Sequence, residues 1–145
     1  MTYRFDGFNY VVRLEKGELM MQSLQKLVQD EQIAGAWISG LGAALWAELG
    51  YYELDTQEYT WKRLDETLEI TGLHGNVAWL DDEPKLHIHG SFSDRDMRGF
   101  GGHIKELAVG GTCEVFLHTL QTDQKLERAH DKNIGLPLLR LHENS

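Results

Sequence analysis

Cysteine is almost absent: among 145 residues only Cys113 carries a thiol. That excludes an internal disulfide framework and any zinc site built from two or more thiolates of one chain. Basic residues are scarce, with 14 Lys and Arg against 23 Asp and Glu, and the net charge is −9 with His neutral. This balance repels a phosphate backbone, and no Lys/Arg cluster overrides it, so non-specific nucleic-acid binding is disfavoured. No apolar run reaches the roughly 18 residues a spanning helix needs. Met1 to Tyr10 alternates polar and aromatic residues, unlike a signal peptide. A cytoplasmic chain without a membrane partner is expected. Common cofactor motifs are missing too. Ser39-Gly40-Leu41-Gly42 has Leu45 where a dinucleotide fingerprint would place its third glycine, and no Walker or Gly-x-Ser-x-Gly sequence occurs.

What is present reads as one globular domain over residues 1–145, with 41% hydrophobic and 26% charged residues. Phe8 to Leu14 holds a strand-like run in Tyr10-Val11-Val12. From Glu18 onward, Met20, Met21, Leu24, Leu27 and Val28 fall on one helical face, and Gly35 offers an exit. That stripe reads as core packing. Sheet is predicted after it: Ala36 to Ser39 running into a Gly40-Leu41-Gly42 turn, a hairpin of Leu45 to Leu54 and Glu58 to Leu64, and strands Thr67 to Leu73 and Asn76 to Leu80 flanking Gly75. Asp81-Asp82-Glu83-Pro84 is a turn; Lys85 to Ser93, Thr112 to Thr119 and a closing Leu136 to Leu141 follow. One early amphipathic helix among short strands gives an α+β fold with a mainly antiparallel sheet.

Leu86-His87-Ile88-His89 is the sharpest local feature. On a strand, His87 and His89 share a face while Leu86 and Ile88 point the other way. A polar stretch, Ser93 to Arg98, then leads to Gly99-Phe100-Gly101-Gly102-His103. A hairpin centred on Asp96 would set His103 directly opposite His89, with Cβ atoms about 5 Å apart. Three imidazoles would then share one surface and leave a fourth tetrahedral position open, the pattern of catalytic zinc. A one-residue slip would turn His103 to the other face. A His-x-His pair also serves simply as a polar face or a hydrogen-bonded pair. His74, His118, His130 and His142 lack paired spacing and read as ordinary surface or hydrogen-bonded histidines.

Acid–base work at such a centre needs a carboxylate. Glu106, three residues past His103, and Glu114, inside an apolar strand, are the candidate catalytic proton carriers. Arg98, with Arg95 a weaker choice, is the candidate to hold a substrate carboxylate. Cys113, in an apolar strand with no basic neighbour, reads as an inert buried thiol.

Taken in order, Trp37-Ile38-Ser39-Gly40-Leu41-Gly42, Leu49-Gly50-Tyr51-Tyr52, Leu68-Glu69-Ile70-Thr71-Gly72-Leu73-His74-Gly75-Asn76, His87-Ile88-His89 and Gly101-Gly102-His103-Ile104 resemble the plants-and-prokaryotes-conserved (PPC) domain. In plants this domain accompanies AT-hook DNA-binding motifs; in prokaryotes it stands alone. No Arg-Gly-Arg-Pro core of an AT-hook is present here. The resemblance implies a compact α+β fold assembled as a homotrimer. It also implies a distant structural kinship with acetolactate decarboxylase, a zinc enzyme whose three histidine ligands include a His-x-His pair. Carried over by position, the zinc ligands would be His87, His89 and His103. The spacing from His89 to His103 looks longer than in that enzyme, and its catalytic carboxylates and arginine have no assigned counterpart. The function expected is a trimeric three-histidine metal protein binding a small oxygen-bearing ligand, with or without turnover. The other reading open is a DNA-associated or regulatory protein that uses the trimer as a scaffold. A cupin, which also uses a His-x-His pair, fits less well: Ser93 and Asp94 stand where its downstream Glu belongs.

Overall fold

A computed structural model describes residues 1–141; of the histidines, His142 lies outside the described residues. In chain order the elements are β1 (Thr2–Phe5), β2 (Asn9–Glu15), α1 (Met20–Asp30), β3 (Ala36–Glu53), β4 (Glu58–Leu64), β5 (Leu68–Leu80), β6 (Glu83–Ser93), β7 (Gly99–Thr119), β8 (Arg128–Asp131) and β9 (Leu136–Leu139). Seven strands form one antiparallel sheet in the order β1-β2-β7-β6-β5-β3-β4, and β3 pairs with β7 as well. That extra ladder closes β7, β6, β5 and β3 into a circuit, so these strands have no free edge along it. Among the described residues, strands β8 and β9 pair only with each other.

Helix α1 buries Met20, Leu24, Leu27 and Val28, the stripe its spacing predicts. Its hydrophobic face lies against the sheet, where Leu14, Ile38, Leu73, Ile88, Phe92, Ile104 and Leu107 are all buried. Trp79 is the largest fully buried side chain, and its indole N–H donates to the Ile33 carbonyl at 2.9 Å. The helix ends at Asp30, with Glu31 as C-cap, one turn short of Gly35.

Glycine was misleading elsewhere. Gly40-Leu41-Gly42 is an irregularity inside the continuous strand β3, not a turn, and β5 runs unbroken through Gly75. Both glycines serve close backbone approach: a Cβ on Gly42 would stand 2.3 Å from the Thr112 carbonyl oxygen, and one on Gly75 2.2 Å from that of His87. The turn after β5 is shorter than the Asp81-Asp82-Glu83-Pro84 read from the sequence, because Glu83 and Pro84 already belong to β6. Leu80 pairs with Glu83, and Asp81 and Asp82 both have positive φ (51° and 62°), the pattern of a two-residue type I′ connection. The last strand does not close the main sheet; β9 pairs with β8, in a hairpin that folds back over the body. Trp79 N–H donates to the Leu126 carbonyl (2.7 Å), and Tyr52 Oη–H donates to the Ile134 carbonyl (2.6 Å).

Candidate metal centre

The β6–β7 hairpin has the register that the spacing demands: Ser93 pairs with Gly99, Phe92 with Phe100 and His89 with His103. Asp94 closes its tip by accepting from the backbone N–H groups of Asp96 (2.8 Å) and Arg98 (3.0 Å). Ile88 is wholly buried between its two histidines, so both rings stand on the opposite face of β6. His103 joins them from β7. Ring centroids are 5.1 Å apart for His87–His89, 5.2 Å for His87–His103 and 5.4 Å for His89–His103. One nitrogen from each ring lies within 4.8 Å of the other two, and the Nε2 atoms of His87 and His89 are 3.2 Å apart. Two nitrogens bound at about 2.0–2.1 Å to one tetrahedral ion stand roughly 3.4 Å apart. The His87–His89 pair already has that spacing, and a nitrogen of His103 lies within 4.8 Å of both.

The chemistry of the donors agrees with the spacing. Burial, with the charge of Arg128 next, holds His87 below its ordinary pKa of 6.5. Burial likewise pushes His103 down to about 4, with His87, His89 and Arg128 adding to the effect. Both rings are therefore neutral at pH 7, the form in which an imidazole ligates a metal. The Nδ1 atom of His103 is buried without a hydrogen-bond partner among the described residues, an arrangement that costs free energy. Tyr59 and Trp61 of β4 stack on each other (4.5 Å) and flank the His103 ring at 5.2 and 6.0 Å. The residues present thus fit a first-row divalent ion with three imidazole ligands.

The carboxylates and the arginine read from the sequence go elsewhere. Glu106 accepts from the N–H groups of Met21 (2.8 Å), Gln22 (3.2 Å) and Leu107 (3.0 Å). It caps α1, whose own N-cap residue, Leu19, offers no side-chain acceptor. Glu114 is exposed and pairs in register with Arg13 and Leu41. At about 3.3 Å per residue it lies on the order of 30 Å along β7 from His103. Arg98 is tied to Asp94 (2.8 Å) and Asp96 (3.1 Å) at the exposed hairpin tip. Cys113 is buried as expected, its thiol pushed up to about 12 by burial.

The cation beside the histidines is one that sequence reasoning missed. Arg128, on β8, donates through Nη2 to Asn76 Oδ1 (2.6 Å) and through Nη1 to the Pro137 carbonyl (2.8 Å). Asn76 is the cross-strand partner of His87. Neither alternation nor a motif marks residues 120–135, so spacing carries no sign that this stretch returns to the centre. His74, read as an ordinary surface or hydrogen-bonded histidine, pairs with His89 across β5 and β6 and is not in the three-histidine cluster.

A search of curated proteins finds no match to this sequence. Solved structures do match. A metal-containing protein of Archaeoglobus fulgidus is 34% identical with a TM-score of 0.86, over 97% of this chain and 99% of that one. A plant- and prokaryote-conserved protein of Pyrococcus horikoshii is 31% identical (TM-score 0.87; 99% and 97% covered). A candidate DNA-binding protein of Ralstonia eutropha JMP134 is 30% identical (TM-score 0.89; 97% and 96% covered). The acetolactate decarboxylase of Bacillus subtilis shares the fold alone, at 12% identity and a TM-score of 0.55 over 86% of this chain and 57% of that one. The model of the Plants and Prokaryotes Conserved (PCC) domain matches residues 1–121, and with the fold and the ordered motifs in agreement, the chain belongs to that family.

Proposed function

We propose that this protein binds a divalent metal, zinc by preference, through His87, His89 and His103, and uses it to take up a small oxygen-bearing ligand. The observation that carries this reading is the convergence of three imidazoles from two adjacent strands, one nitrogen of each within 4.8 Å of the others. The metal-containing A. fulgidus relative supports it. Neutral nitrogen donors suit zinc, and three of them leave one position for a ligand. Bound zinc would supply Lewis acidity at that position. The chain's own contribution is placement. Buried Ile88 fixes β6, the hairpin register fixes His103 opposite His89, and Tyr59 and Trp61 wall one side of His103.

We further propose a homotrimeric, cytoplasmic protein. Val11, Phe116, Trp37 and Leu41 are exposed (39, 38, 53 and 56%) and follow one face of β2, β7 and β3. That face continues through Ser39 and His74 to His89, so an apolar surface in need of cover adjoins the histidines. No helix of the described residues is long and apolar enough to cross a membrane.

Elemental analysis of protein purified without an affinity tag tests the reading. The expected result is close to one zinc per chain, lost in the His87→Ala, His89→Ala double variant with the fold intact. Stoichiometric zinc retained by that variant would defeat the assignment. The R. eutropha relative favours a second reading, a DNA-associated protein. Against it stands the net charge of −9. Tight, salt-dependent binding of duplex DNA by the isolated chain would favour the second reading over the first.

A further inference from the structure

Arg128 lies beyond the residues 1–121 that the family model covers, and it is out of place by ordinary electrostatics. The chain has an excess of carboxylates, yet among the described residues Arg128 forms no ion pair. It is only partly exposed, and its Nε–H is buried without an acceptor. A guanidinium has five N–H donors. Two are spent, on Asn76 and Pro137, which lock the plane in place. Three remain, the buried Nε–H among them. Burying part of a cation with spare donors costs free energy unless an acceptor of opposite charge completes it.

The rest of the site sharpens the point. Three neutral imidazoles leave the full double charge on any divalent ion they hold. Glu106 and Glu114, the carboxylates that might have offset it, are committed to α1 and to the far part of β7. An ion and Arg128 together would put three positive charges near one another, and among the described residues no carboxylate pairs with Arg128. Binding there is favourable when the ligand itself brings negative charge.

We propose that Arg128 is the anion-recognition residue of this site, and that the ligand class is a small carboxylate. One carboxylate oxygen fills the open metal position and the other accepts from the remaining Nη–H groups of Arg128. Asn76 acts as a positioning residue: its Oδ1 holds the guanidinium while its own strand position is opposite His87. This inference rests on the metal-site reading, and its test separates the two.

The experiment uses the full chain loaded with Co(II), whose visible spectrum reports the fourth ligand, titrated separately with acetate and with imidazole. Imidazole binds a metal as its neutral base and probes the metal position alone; acetate probes the metal and Arg128 together. In Arg128→Gln, acetate affinity should fall on the order of tenfold or more, the weight of a charge-assisted hydrogen bond. Imidazole affinity should stay within about twofold. Arg128→Lys keeps the charge but loses the fork, and should fall between the two. Equal losses for both probes would show that Arg128 only supports the hairpin, and unchanged acetate affinity would show that it does not touch the anion; either overturns the proposal and leaves the metal site standing. Failure of the parent chain to take up Co(II) at all would remove the metal site, and the proposal with it.

Discussion

Replacing Glu106 by alanine separates a structural role from a catalytic one. The first turn of α1 leaves N–H groups with no acceptor inside the helix, and Leu19 supplies none. Glu106 reaches across from β7 and accepts from two of them, at 2.8 and 3.2 Å, with its negative charge at the positive end of the helix dipole. Loss of a helix cap costs about 1–2 kcal/mol. Leaving partly buried N–H groups unpaired raises the cost towards about 3 kcal/mol. At about 3 °C per kcal/mol for a chain of this size, Glu106→Ala should melt about 3–9 °C lower. Glu106→Gln keeps an acceptor without the charge and should lose less. Urea unfolding at one fixed protein concentration gives the free energy, and zinc content measured on the same samples should not change. If Glu106→Ala unfolds at the parent's midpoint, or loses its metal without losing stability, the capping role is wrong and a place at the metal centre returns.

Further outcomes follow from the same geometry. Gly75→Ala would push a Cβ to within 2.2 Å of the His87 carbonyl oxygen and 2.8 Å of Ile88 Cα, so the variant should fold poorly and lose metal. Gly111→Ala, where nothing lies within 4 Å, should melt like the parent; equal behaviour of the two variants would discredit the close-approach account. Acid should destabilise the metal-free protein. The unfolded chain takes up a proton at His103 near the ordinary 6.5, whereas the folded chain resists down to about 4, so stability should fall as the pH drops through that window. Thermal melts in chelator should show it, and His103→Asn should flatten that part of the profile; a parent profile already flat between those values contradicts the burial of His103.

The geometry of the three-histidine cluster was legible because the two strands of the β6–β7 hairpin are joined by a short polar turn. Once Asp96 is set at the tip, strand periodicity places His89 opposite His103. The helix was legible for a similar reason: Met20, Leu24, Leu27 and Val28 carry its period in the chain itself. Gly40, Gly42 and Gly75 misled because glycine marks both turns and places where two backbones meet, and local sequence does not distinguish them. The fates of Glu106 and Arg128 were hidden for another reason. Glu106 answers a deficiency of α1, 85 residues away in sequence from Met21. Arg128 is brought back by the backbone hydrogen bond from Trp79 N–H to the Leu126 carbonyl and by the side-chain one from Tyr52 Oη–H to the Ile134 carbonyl, contacts that leave no periodic trace.

X-ray absorption at the zinc edge, on untagged protein reconstituted with one equivalent of zinc, addresses the coordination directly. The expected spectrum has three imidazole nitrogens at about 2.0–2.1 Å, one further light ligand and no sulfur. A sulfur shell, fewer than two imidazoles, or zinc that washes away on a desalting column would contradict the three-histidine centre.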